Sequence, residues 1–109
     1  MGNRKAKYRE LLADSDVLRW YRNVARGSLV TADVYLRRLG GFCGRHGLTP
    51  RELAAKGQKE LENLLLDSVS ELEEQGKAGG HIKSIVKAVK SWLSYNHCEL
   101  KIKIKVKGA

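Results

Sequence analysis

The chain has 109 residues, 42% of them hydrophobic and 30% charged, which suits one soluble domain large enough for its own hydrophobic core. A formal net charge of +9 is far from ordinary and attracts nucleic acid or an anionic surface. No apolar run approaches the ~20 residues of a membrane span and no signal-peptide pattern follows Met1, so the expectation is a cytoplasmic protein with no membrane partner.

Residues 1–13 read as a basic lead-in or a first helix beginning near Arg9, followed by an Asp14-Ser15-Asp16 cap cluster. From there Val17, Leu18, Trp20, Tyr21 and Val24 recur at the spacing of an amphipathic helix that Gly27 ends. Ser28 caps a second helix, on which Tyr35, Leu39, Phe42 and His46 share a face. Gly40-Gly41 inside it costs up to ~1 kcal/mol per glycine and therefore points to close approach by a neighbouring helix. After Gly47, Thr49-Pro50-Arg51-Glu52 combines a Thr cap, Pro at the first helical position and Glu as the capping-box partner. Gly57 then separates a short helix from a longer one, whose stripe Leu61, Leu64, Leu65, Val69 and Leu72 runs to Gly76.

The helix expected over 78–96 carries two opposed chemistries. Ile82, Ile85, Val86, Val89, Trp92 and Leu93 gather on one side, while Lys83, Lys87 and Lys90 form a separate stripe. No acid lies between Lys77 and His97 to make i,i+4 ion pairs, so this face is purely basic. Residues 97–109 differ in kind: Lys101-Ile102-Lys103-Ile104-Lys105-Val106-Lys107 alternates with the period of a strand. The expectation is a basic extended or β tail serving as a linker, a pairing strand or an arm ordered against DNA.

Charge is segregated along the chain, with net +4 in residues 1–27, +2 in 28–50, −4 in 51–76 and +7 in 77–109. An acidic segment between basic ones is expected to face away from a polyanionic partner. Trp20, Tyr21, Tyr35, Trp92 and Tyr95 sit at core spacings, which favours duplex over single-stranded nucleic acid. Two cysteines do not make a disulfide framework, and Cys43 and Cys98 read as buried or free thiols. Cys43-x-x-His46 with His97-Cys98 is poor spacing for zinc, and neither a metal nor another cofactor is expected.

The order of these features resembles a known family. Trp20-Tyr21, Ser28-x-x-Thr31-x-x-x-Tyr35-x-x-x-Leu39-x-x-Phe42, Gly47-Leu48-Thr49-Pro50, a Leu-rich helix and Ile82-x-x-Ile85-x-x-x-Val89-x-x-Trp92-Leu93 are similar to the N-terminal core-binding domain of tyrosine recombinases, the phage integrase family. The likeness covers residues 14–96. It implies an all-α, four-to-five-helix orthogonal bundle of SAM-like arrangement that forms half of a clamp on duplex DNA. A C-terminal catalytic domain forms the other half, and other recombinase protomers complete the assembly. The helices starting near Ser28 and His81 would then lie against the duplex.

The candidate DNA-contacting residues are Ser28, Thr31, Arg37, Arg38, Lys77, His81, Lys83, Ser84, Lys87 and Lys90, with Lys101, Lys103 and Lys105 of the tail following the backbone. Arg37 and Arg38 have two possible partners, phosphates or the acidic helix. The family's catalytic set includes a His-x-x-Arg box, whereas His46, His81 and His97 are followed three residues later by Thr49, Ser84 and Leu100. Gly79-Gly80-His81 also stands where small hydroxyl residues are common. The expectation is therefore a non-catalytic chain, either an excised domain or a stand-alone relative. The alternative is a protein-interaction module that adds its KIKIKVK strand to a partner's sheet edge.

Overall fold

The computed structural model describes residues 8–108, so most of the basic lead-in lies outside the described residues. A 3-10 turn over Glu10–Ala13 leads into α1 (Ser15–Gly27), α2 (Leu29–His46), α3 (Pro50–Ala54), α4 (Gln58–Glu74) and α5 (Gly79–Tyr95). The fold is all-α, and no strand forms among the described residues.

Local chemistry sets most of these boundaries. Asp14 caps α1 by accepting the amides of Asp16 and Val17, and the Ser28 hydroxyl accepts the Thr31 amide at the start of α2. At the other end of α2, Gly47 takes the left-handed conformation, φ 67°, that a helix stop needs and that costs glycine little. The Thr49–Glu52 capping box is complete in both directions. Gln58 and Gly79 begin helices without a side-chain cap.

The core fills the space between α1, α2 and α5, with α3 and α4 closing it. Val17, Leu39, Leu53, Leu61, Leu65, Val89, Trp92 and Leu93 are all essentially inaccessible. The two tryptophans meet edge-to-face at 5.4 Å, and each indole N–H has a partner: Trp20 donates to Ser91 Oγ at 3.1 Å and Trp92 to the Pro50 carbonyl at 2.9 Å. The aromatic residues expected in the core are there, although Tyr35 and Tyr95 remain half-buried. Cys43 is buried and free, with its thiol pushed up to about 12 by desolvation. The close approach inferred at Gly40 is made by the side chains of Tyr8 and Leu11, from the short helical segment that precedes α1.

The tail is docked. Glu62, itself buried, accepts the amides of Lys101 and Ile102 at 2.7 and 3.2 Å, and Glu73 accepts that of Lys107 at 2.7 Å. Six tail residues thus match eleven of α4, about 16 Å of helix, so the segment is nearly extended at about 2.7 Å per residue. It runs parallel to α4 and antiparallel to α5. Ile104 and Val106 pack on Val69, Leu72, Ile82 and Val86, which fills the seam between the two helices. The alternating pattern is therefore used inside the chain, with no partner strand among the described residues, and the acidic segment does not turn wholly away from the basic one.

Gly79 is where the tail passes closest to α5. A Cβ at Gly79 would stand 2.7 and 2.8 Å from the carbonyl oxygens of Lys107 and Gly108. Gly79→Ala is expected to raise helix propensity yet lift the end of the tail, and faster amide exchange at Lys107 by hydrogen-exchange NMR is the check.

Candidate nucleic-acid interface

The docked tail assembles a basic groove. Lys83, Lys87 and Lys90 of α5 face Lys103 and Lys105 of the tail across a groove of ≈ 490 Å³ with Val86, Ile104 and Val106 in its floor. All five lysines are exposed, and no carboxylate lies within ion-pairing distance of any of them among the described residues. Lys101 is also exposed, nearer the amino end of α4, where Glu62 holds its amide. Five like charges held along one groove repel one another, and a polyanion relieves that repulsion.

A second basic surface lies around α5. Arg37 and Arg38 of α2, Lys77 of the preceding turn and His81 of α5 line a cleft of ≈ 450 Å³, with the largely buried Phe42 and Leu72 and the half-buried Ile85 in its floor. At 100° per residue, His81 and Ile85 are about half a turn from Lys83 and Lys90. The cleft and the lysine groove are thus separate surfaces. Ser84 lies between them, where its hydroxyl accepts a hydrogen bond from Arg38 Nε at 3.3 Å.

Of the two partners open to Arg37 and Arg38, the acidic helix is not taken among the described residues. Its Glu71 pairs with Arg45 at 3.2 Å instead. The Arg45 guanidinium was not singled out from sequence, although its spacing from Arg38 and Gly41 places it on their face of α2. His46 Nε2 lies 3.0 Å from the Ser68 hydroxyl, which in turn donates to the Leu64 carbonyl.

Histidine basicity reports the local field. His81 is held below its usual range by partial burial and then by the nearby positive charges of Arg38 and Lys77. His46 is lowered by burial and by Arg45, against an opposing pull from Glu71. Among the described residues no three metal-ligating side chains converge.

The pairing of α2 with α5 also separates residues that the sequence reading grouped. Arg38 meets Ser84, and Tyr35 shares a concavity with Lys87, Lys90 and Ser91, so the two helices run antiparallel. Ser28 and Thr31 consequently lie at the opposite end of the pair from Lys77 and His81. Beside them Leu29 and Val30 are exposed.

Comparison of the chain with models of protein families, with curated proteins and with solved structures finds no match. Among the described residues no helix is long and apolar enough to cross a membrane.

Proposed function

We propose that this chain binds duplex DNA as the core-binding half of a tyrosine-recombinase-type clamp, with a SAM-like helical arrangement and no catalytic residues of its own. The observation that carries the DNA reading is the groove in which Lys83, Lys87, Lys90, Lys103 and Lys105 converge without a carboxylate partner among the described residues. Lysines at such a surface neutralise phosphates and release counterions, which gives affinity without sequence preference. The recombinase assignment rests on the resemblance across residues 14–96, and Ser28 and Thr31 enter the interface only through it. The partners are then double-stranded DNA, a catalytic domain supplied elsewhere and other recombinase protomers.

Fluorescence anisotropy with a labelled duplex tests the DNA reading. With six or so phosphate contacts, log affinity is expected to fall with log salt at a slope of about −5. Undetectable affinity at low salt, or affinity indifferent to salt, would remove it. For the recombinase assignment the test is the coding sequence beyond Ala109. An Arg, a His-x-x-Arg box and a Tyr there would support the clamp, and a stop codon would favour a stand-alone DNA-binding protein.

A further inference from the structure

The cleft at the amino end of α5 has a composition that generic backbone contact does not require. Its rim holds Arg37, Arg38, Lys77 and His81, while Phe42, Leu72 and Ile85 make an apolar floor. Arg45 also lines the cleft but is paired with Glu71, whereas among the described residues Arg37, Arg38 and Lys77 have no carboxylate partner, and residues 1–7 contain no Asp or Glu. Arg38 is steadied by the neutral Ser84 hydroxyl, which leaves its charge uncompensated. His81 is held below its usual range first by partial burial and then by the charges of Arg38 and Lys77, which face it in this cleft.

Concavity matters here because low-dielectric walls focus the field of the enclosed cations. A cleft of ≈ 450 Å³ is also in the range of pockets that enclose small organic molecules. Three fixed cations match a dianionic phosphoryl group, with Arg37 and Arg38 offering forked donors and Lys77 a mobile point charge. The apolar floor asks for carbon beside the phosphorus.

We propose that this cleft is a binding site for an organic phosphate monoester, with the phosphoryl group on Arg37, Arg38 and Lys77 and the carbon moiety over Phe42, Leu72 and Ile85. The site goes beyond duplex binding and does not depend on it, because the lysine groove lies about half a helical turn away on α5. Two sources offer this chemistry: a free phosphorylated small molecule and the phosphorylated 5′ end of a nucleic acid.

The test is a titration of the 15N-labelled full chain with phenyl phosphate and, separately, inorganic phosphate, followed by NMR. Phenyl phosphate is expected to shift the amides of Lys77 and His81 saturably, with a Kd on the order of millimolar, and to bind several-fold more tightly than inorganic phosphate. The amides of Lys83, Lys87 and Lys90 stay in place. Arg38→Gln and Lys77→Gln each weaken phenyl phosphate about tenfold or more while the rest of the spectrum remains that of the folded chain, and Lys83→Gln leaves it unchanged. Displacement by a 5′-phosphorylated duplex, but not by its unphosphorylated form, identifies the nucleic-acid end as the source. Failure of both duplexes to displace it identifies a small molecule. Shifts that never saturate, that spread equally over the lysine groove, or that are no stronger for phenyl than for inorganic phosphate overturn the proposal. Loss of duplex affinity alone would remove the DNA reading and leave this one standing.

Discussion

Replacing Lys83, Lys87 and Lys90 together with alanine is expected to lower duplex affinity about 500-fold near 0.1 M salt and to flatten the salt slope from about −5 to about −2. Each phosphate contact contributes roughly 0.9 to the slope, so three lost contacts remove about 2.7 decades at that ionic strength. The loss should be similar across unrelated sequences, because lysines on phosphates position a protein without reading bases. Folding is not at risk. The three side chains are exposed and without acid partners among the described residues, and alanine is the better helix former. Unchanged affinity would move the interface off this groove.

The same substitution bears on the tail. Lys103 and Lys105 are held opposite the α5 lysines by Glu62, Glu73 and the packing of Ile104 and Val106. Removing three like charges from across the groove should tighten that docking in the free protein. A polyanion does the same by neutralising them, so DNA binding and tail docking favour one another by linkage.

Helix boundaries were legible because short-range chemistry sets them: Asp14, Ser28 and Thr49 cap the helices that follow them, and Gly47 provides the left-handed stop. The core was legible because apolar side chains recur at helical spacing, from Val17 to Leu93. What the pattern lacks is the identity of the neighbour. Alternation in KIKIKVK gives one apolar edge, yet a sheet, a second chain or a seam between two helices would each satisfy it. Glu62 and Glu73 look like members of a solvated acidic face until their backbone partners, forty and thirty-odd residues away, are known. Likewise the two basic surfaces merge in a list of residues and divide only when α5 is placed between α2 and the tail. The cleft drew its fifth basic residue, Arg45, from a helix on which only Arg37 and Arg38 had seemed relevant.

The core makes the sharper stability test. Trp92→Ala is expected to cost about 3–5 kcal/mol for the lost ring and the cavity left behind. Trp92 is 1% exposed, meets Trp20 edge-to-face and stacks on Tyr95 at 5.7 Å, so several elements relax poorly around the gap. The Pro50 carbonyl also loses the indole donor that ties α3 to α5. Against a total of about 5–15 kcal/mol for a domain of this size, that loss lowers Tm by roughly 15–30 °C in a calorimetric scan. Trp92→Phe separates the two contributions: it keeps an aromatic ring but removes the indole donor from the Pro50 carbonyl, for about 1 kcal/mol plus a smaller cavity. Lys90 and Ser91 stand directly before Trp92 on α5, so the alanine variant should lose DNA affinity together with its fold near the lowered Tm. The lysine variants are expected to lose affinity with the fold intact. A Trp92→Ala chain that melts at the parent temperature would contradict the packing described for α1, α3 and α5.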